Sequence, residues 1–132
     1  MKYLLDTNVC IKILKGKTQS ILKKIENIDN SDIAIPSVVQ FELYYGAYKS
    51  VKKEATLKIL EEFLKNFQIV NFDSKTAEIC GKIRAELEQK GTPIGPYDLI
   101  IAATALCRKL ILVTNNTNEF SRVENILIEN WE

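Results

Sequence analysis

The chain has 132 residues, which is the size of one domain and leaves little room for a second. With 18 basic and 17 acidic residues the net charge is +1, so the total excludes a strongly basic surface, although local patches stay possible. An acid at position 6 interrupts the N-terminus, and no long apolar run follows it. We therefore expect a cytoplasmic protein with no signal peptide and no membrane association.

Two residue types restrict the chemistry. Histidine is absent, which excludes Ser-His and Cys-His nucleophile pairs, His-ligated zinc and His as a general base. Cys10, Cys80 and Cys107 form no CxxC pair, and we interpret each as a small buried apolar side chain. An enzyme of this composition must use carboxylates, Lys, Tyr, Ser or Thr, and carboxylates that bind a hard cation are the leading option.

The first half of the chain alternates short strands with amphipathic helices. The predicted elements are a strand at 2–5, helices over 9–15 and 18–28, a strand at 33–35, and helices over 36–49 and 54–66. The tripeptide Asp6-Thr7-Asn8 can cap the first helix, and Gly16 closes it.

The second half continues this alternation. The predicted elements are a strand at 67–72, a helix from the Asp73-Ser74 cap to residue 90, a loop over 91–95, a helix over Pro96–Arg108, and strands at 110–114 and 126–128. The strand at 110–114 is continuously apolar, which is typical of a strand buried on both faces. The pattern predicts a single α/β domain over residues 1–132, with three α/β/α layers around a central parallel sheet.

Acidic residues occur where such a sheet would bind a ligand, beyond the carboxyl ends of its strands. Asp6 directly follows the first strand, Asp98 lies in the first turn of a helix after the Gly/Pro loop, and residues 115–119 follow the strand at 110–114. Glu42 lies inside a helix, where its neighbours one turn away are apolar, and a carboxylate on a core-facing stripe is costly unless it is paired or metal-bound. An oxygen-ligand site for Mg²⁺ or Mn²⁺ is the prediction.

Each of these acids also has a purely structural interpretation. Asp6 can be a helix N-cap, Asp98 can complement a helix dipole, and Glu42 can reach solvent at the edge of its stripe. Residues 115–119 can form an ordinary turn and cap. The lysine clusters are interpreted as solvated helix faces, with contact to an RNA backbone as the alternative: Lys15/Lys17, Lys23/Lys24 and Lys49/Lys52/Lys53.

Aromatic residues are concentrated on two neighbouring helices. They are Phe41, Tyr44, Tyr45 and Tyr48 on the first, and Phe63 and Phe67 on the second. The default interpretation for most of them is core, with a dimer interface or a partner groove as alternatives. The amphipathic segments 18–28 and 57–67 are predicted to line a groove for a partner helix.

Four segments in order carry a resemblance to a known family: LLDTNVCI, PSVVQFELYYGA, GTPIGPYDLIIAATA and LILVTNNTNEFSRVENILIENW. Over essentially its full length the chain resembles VapC-type toxins of the PIN-domain endoribonuclease family. The resemblance implies a PIN-like α/β fold with an acidic pocket that binds Mg²⁺ or Mn²⁺. It also implies a homodimer, and a hetero-oligomer with a cognate VapB-type antitoxin that connects the toxin to promoter DNA.

The resemblance also implies a set of site residues. Asp6, Glu42 and Asp98 match the family's three constant acids, and are therefore the expected catalytic and metal-binding residues. Asn116 stands at the position of the family's fourth acid, with Glu119 one helical turn further on, and either is expected to supply a further metal ligand. The residues expected to orient these ligands are Thr7, Thr114 and Asn115.

The resemblance implies an enzyme that hydrolyses phosphodiester bonds in a structured RNA. This cleavage is expected to inhibit translation. The substrate that the resemblance favours is a tRNA, with the anticodon stem-loop of the initiator tRNA first. Two other functions stay open. The chain could be mainly an antitoxin-binding and promoter co-repressing module with weak or no nuclease activity. It could also be a phosphotransfer domain of the response-regulator kind, although Lys109 precedes its strand where such a domain needs a Lys near the end.

Overall fold

The computed structural model describes residues 1–132 and contains one sheet of five parallel strands. The strands are β1 (Tyr3–Leu5), β2 (Ile33–Pro36), β3 (Gln68–Val70), β4 (Ile111–Val113) and β5 (Ile128–Glu129). The helices around the sheet are α1 (Thr7–Lys15), α2 (Gln19–Glu26), α3 (Ser37–Lys49), α4 (Lys53–Leu64), α5 (Ser74–Gln89), α6 (Pro96–Arg108) and α7 (Thr117–Phe120). This architecture confirms the predicted α/β fold with a central parallel sheet.

The order of the strands, β3-β2-β1-β4-β5, places β1 in the middle of the sheet. All three β1 side chains are buried, and each fully buried leucine stabilises the fold by about 1.5–3 kcal/mol. From β1 the chain adds β2 and β3 on one side and then returns to add β4 and β5 on the other. The sheet therefore has its topological switch point between β1 and β4, where a crevice opens at the carboxyl ends of the strands.

Residues distant in the chain meet at this switch point. Leu5 pairs with Val113, and the Asp6 N–H donates a hydrogen bond of 3.1 Å to the Val113 carbonyl. Asp6 and Thr114 are the next residues of the two strands, so both emerge at the same edge of the sheet. The order of the strands, rather than any local pattern, brings them together.

Local signals define most of the helix ends. The Asp6 side chain accepts a hydrogen bond of 2.7 Å from the Thr7 N–H, so α1 begins two residues earlier than predicted. Asp73 caps α5, as predicted, through a 2.9 Å bond from the Thr76 N–H. Pro96 occupies the first turn of α6, where its missing N–H costs nothing. Lys109 ends α6 in the left-handed region at φ 55°, a conformation that a glycine adopts more easily.

Several sequence-based expectations are corrected by the structure. Most of the aromatic residues on α3 are not core, because Phe41, Tyr45 and Tyr48 are 52%, 60% and 62% exposed. Only Cys10 of the three cysteines is fully buried, and the other two are half-buried. The segment after β4 includes the short helix α7, which was interpreted as a turn, and β5 begins two residues later than predicted. None of the helices combines the length and apolar character needed to span a membrane.

Candidate active site

A pocket of about 300 Å³ opens at the switch point of the sheet. Its lining residues are Asp6, Thr7, Asn8, Glu42, Gly95, Pro96, Tyr97, Asp98 and Asn116. We call it the acid pocket. The three acids expected from the sequence all line it, although Asp6 follows β1, Glu42 belongs to α3 and Asp98 belongs to α6.

Asp6 is the most deeply buried acid of the pocket, with 5% of its surface exposed. One carboxylate oxygen accepts the Thr7 N–H, and the other accepts the Thr114 hydroxyl at 2.7 Å. Burial raises the pKa of Asp6, and these two hydrogen bonds oppose that rise, while the charge of Glu119 adds to it. The protein therefore fixes the position of this carboxylate while giving it no cationic partner.

Glu42 projects from the second turn of α3 and is half-buried. The Thr7 hydroxyl donates a 2.9 Å hydrogen bond to its carboxylate, so Thr7 joins Glu42 to Asp6. The expectation that Glu42 lies on a core-facing stripe is wrong, because Tyr45 and Gly46, one turn further on, are exposed. The buried face of α3 is formed by Val39, Leu43 and Ala47.

Asp98 lies in the first turn of α6 and carries the strongest electrostatic perturbation in the pocket. Burial, followed by the negative charges of Glu119 and Asp6, raises its pKa to about 7, and Glu42 contributes in the same direction. In the absence of a cation, the Asp98 carboxyl group is therefore largely protonated below about pH 7. Four carboxyl groups repel one another in this small volume.

Glu119, from α7, completes the acidic group behind the pocket lining. Its carboxylate accepts hydrogen bonds from the Asn116 amide at 2.9 Å and from the Gly95 N–H at 3.1 Å. These bonds hold the pKa of Glu119 below its ordinary value. A carboxylate therefore stands next to Asn116, where the resemblance implies a fourth acid, and Asn116 itself fixes that carboxylate in place.

Of the three residues expected to orient ligands, two contact the acids. Thr114 is fully buried, and its hydroxyl accepts the Asn116 N–H at 3.0 Å while donating to Asp6. Thr7 bridges Asp6 and Glu42 as described. Asn115 is exposed and does not line the acid pocket, which does not support the predicted orienting role.

The acid pocket offers carboxylate oxygens as possible metal ligands. Oxygen ligands suit a hard divalent cation such as Mg²⁺ or Mn²⁺. None of the ion pairs in the chain involves a pocket carboxylate. No three acidic side chains are arranged so that they could ligate one ion together. Mg²⁺ commonly keeps several waters and takes only one or two protein carboxylates, so the donor set fits such an ion with the other acids acting through water.

Sequence reasoning missed four residues that line the pocket: Asn8, Gly95, Pro96 and Tyr97. Asn8 was interpreted only as part of a cap, and Gly95 only as part of a loop, yet the Gly95 backbone N–H contacts Glu119. Tyr97 was not singled out, although it directly precedes Asp98 and is 46% exposed. Its position next to an acid in the first turn of a helix was the available signal.

Comparison with known proteins gives a consistent result. The model of the PIN domain family matches residues 3–126. The chain is 44% identical to the tRNA(fMet)-specific endonuclease VapC of Salmonella typhimurium and 43% identical to ribonuclease VapC2 of Rickettsia felis, covering at least 98% of either chain. It is also similar to a chain in the crystal structure of DNA-bound VapBC from Salmonella typhimurium, with a TM-score of 0.94, 43% identity, and coverage of 100% of this chain and 99% of that one.

Proposed function

The chain belongs to the PIN domain family and is an endoribonuclease, and from this premise we propose that it is the toxin of a toxin–antitoxin pair that cleaves a tRNA with the help of a divalent cation. The observation that carries the proposal is that Asp6, Glu42 and Asp98 line one pocket, with Glu119 behind its lining, and that none of these acids forms an ion pair with Lys or Arg. A bound cation would neutralise the repulsion of these ionised acids without filling the pocket that the substrate needs.

The residues of the pocket have distinct tasks in this proposal. A bound Mg²⁺ or Mn²⁺ would supply the positive charge that polarises a scissile phosphate and acidifies an attacking water. Asp6, Glu42 and Asp98 would hold the ion, directly or through water. Thr7 and Thr114 keep the carboxylates in a fixed orientation, since side chains that are hydrogen-bonded behind a ligand reduce the cost of ordering it.

We propose the initiator tRNA as the substrate, with the cytoplasm as the place of action. Support comes from the Salmonella relative, which is 44% identical and is named for this specificity. Support for a single-stranded target comes from the position of the pocket, which lies at the surface where an unpaired loop has access.

Purified protein mixed with initiator and elongator tRNA in Mg²⁺, in Mn²⁺ and in EDTA tests this function. We expect site-specific cleavage of the initiator tRNA that requires the cation, and a loss of at least about 100-fold in Asp6→Asn and in Asp98→Asn, because each removes a charged oxygen from the ion. Asp73→Asn is the matched control, since it makes the same chemical change at a helix cap outside the pocket. Cleavage that persists in EDTA would refute the metal-dependent mechanism.

A partner-binding function is supported by a second feature, an apolar groove of about 400 Å³ beside the acid pocket. Its apolar lining is contributed by α1, α3 and α4, and Glu42 lies at its edge. The predicted segment 57–67 supplies two of its residues, Ile59 and Leu60, whereas the segment 18–28 supplies none. We propose that a VapB-type antitoxin, which in the Salmonella relative is part of a DNA-bound complex, occupies this groove and connects the chain to promoter DNA.

A matched experiment separates the two functions. A complex with the antitoxin should show no RNA cleavage, and removal of the antitoxin should restore it. A chain that binds the antitoxin and promoter DNA but yields no metal-dependent RNA products when free would be a binding module alone. Incorporation of phosphate from a small donor is not expected, because Asp6 and Asp98 lie in a group of acids with no lysine lining the pocket.

A further inference from the structure

Two exposed aromatic rings stand at the acid pocket. Tyr97 lines the pocket itself, and Phe41 packs against it with 5.7 Å between ring centroids and an angle of 84° between ring planes. Each ring belongs to the residue that directly precedes an acid of the pocket, Glu42 in one case and Asp98 in the other. Both rings are therefore attached to the same helical turns as the carboxylates.

The rings contribute little to the folding of the isolated chain. About half of each side chain is exposed, and neither belongs to the buried core or to the partly buried residues packed against it. Exposed aromatic side chains beside a pocket commonly mark a binding surface. The edge-to-face contact restricts the orientation of the Tyr97 ring before any ligand arrives, and a restricted ring loses less entropy on binding.

We propose that Tyr97, braced by Phe41, is a stacking platform for an unpaired base of the RNA, next to the phosphate that is cleaved. This inference rests on the proposed function, because it needs a phosphate at the pocket carboxylates. The Tyr97 ring lines the same pocket as the Asp98 carboxylate, so it stands beside the place that the cleaved phosphate would take. Unpaired bases splayed out of RNA loops are commonly stacked on aromatic side chains.

The surroundings of the rings favour RNA over an apolar partner. Tyr97 is the one aromatic residue of the acid pocket, whose side chains are mostly polar, whereas the apolar groove lies on the other side of Glu42. Along α3 the exposed surface continues to Tyr45, whose ring has the Lys49 ammonium 5.3 Å from its centroid. Lys49 lies eight residues beyond Phe41, about 12 Å along the helix axis, where it can neutralise a further phosphate.

A binding experiment tests the platform independently of cleavage. The probe is a hairpin RNA with 2-aminopurine in its loop, because the fluorescence of this base reports stacking. Binding is measured in Ca²⁺, in place of Mg²⁺ or Mn²⁺. We expect the unaltered protein to quench the probe. Tyr97→Ala should weaken binding about 5- to 150-fold, which corresponds to about 1–3 kcal/mol for a stacked base, and should abolish quenching. Tyr97→Phe, which keeps the ring, should stay within about twofold of the unaltered protein in affinity and should still quench the probe.

Tyr48→Ala is the matched control, because it removes a ring of α3 that is more exposed than Tyr97 and does not line the pocket. Unchanged affinity and quenching in Tyr97→Ala would overturn the platform. A second result would also overturn it. If sedimentation shows that Tyr97→Ala loses self-association, and this loss accounts for the weaker RNA binding, the rings belong to an interface with a second copy of the chain.

Cleavage measured in parallel distinguishes this inference from the proposed function. If the unaltered protein quenches the probe through Tyr97 but cleaves no RNA in Mg²⁺ or Mn²⁺, the platform stands and the proposed function fails. If the unaltered protein cleaves and Tyr97→Ala cleaves with the same kcat/KM, the proposed function stands and the platform fails. A rise in KM with kcat preserved is the result expected for a residue that positions the substrate.

Discussion

Replacing Asp98 by Asn should stabilise the metal-free protein at pH 8, although the same change should abolish activity. The pKa of Asp98 rises from its ordinary value of 3.8 to about 7 in the folded chain, because the carboxyl group is partly buried among other acids. At about 1.4 kcal/mol per tenfold change in proton affinity, the full effect is roughly 4 kcal/mol. Solvent reaches part of this side chain and screens its charge, so we expect a gain of about 2 kcal/mol.

The sign of the pH dependence follows from proton binding. Between pH 4 and pH 7 the folded chain keeps a proton on Asp98 that the unfolded chain has released, so the free energy of unfolding falls as the pH rises. Below that range both the folded and the unfolded chain hold the proton. Above it Asp98 is ionised in both, and the loss of free energy of unfolding is complete. The chain has no histidine, and the carboxyl groups with lowered pKa are ionised in both states above pH 5. Stability between pH 5 and pH 8 therefore reports chiefly on the acid pocket.

Urea denaturation in EDTA at pH 5 and at pH 8 measures this effect. The unaltered protein should lose stability across the interval, and Asp98→Asn should lose much less. Asp73→Asn, in which an Asn cap replaces an Asp cap, should follow the unaltered protein over the same range. Mg²⁺ or Mn²⁺ at pH 8 should restore stability to the unaltered protein only. A destabilised Asp98→Asn at pH 8, or an unaltered protein that gains stability from pH 5 to pH 8, would refute the mutual repulsion of the acids.

Three further predictions concern the supports of the pocket and the fold. Thr114→Val should lower the free energy of unfolding by about 1–3 kcal/mol, because the buried Asp6 carboxylate loses a donor, and Thr114→Ser should recover most of this loss in the same urea titration. Lys109→Gly should raise the free energy of unfolding by about 1 kcal/mol, because it removes the strain of a positive φ. Lys90→Gly is the control and should not stabilise the protein, because φ is −80° at that position. Mg²⁺ should raise the Tm of the unaltered protein in a concentration-dependent way and raise that of Asp6→Asn much less, and equal shifts would show that the ion binds elsewhere.

Much of the fold was predictable because its signals are local. The caps at Asp6 and Asp73 and the apolar strand that contains Leu112 each act within a few residues, and the structure confirms them. The strand order was not predictable in this way, because it depends on contacts between distant parts of the chain, but parallel sheets in general bind ligands beyond the carboxyl ends of their strands. That rule led to the expectation that Asp6 and the segment after β4 lie at one edge of the sheet, which the structure confirms.

The details that the sequence did not reveal depend on tertiary contacts. Glu42 was expected to be buried because its neighbours are apolar, but Tyr45 on the same face is exposed, so helical spacing alone did not identify the core side of α3. Glu119 and Asn115 are four residues apart in one polar segment, and only the short helix α7 sends the first toward Asp98 and leaves the second outside. Composition cannot distinguish these two directions.

The hydrogen bond from Thr114 to Asp6 joins residues 108 positions apart in the chain. A ribosome that is making this protein must therefore synthesise all but the last strand before the two halves of the pocket can meet. For most of its synthesis the nascent chain carries Asp6 with no partner strand for β1 on that side, and so has no competent active site. The active site of this endoribonuclease therefore cannot form until synthesis of the chain is nearly complete.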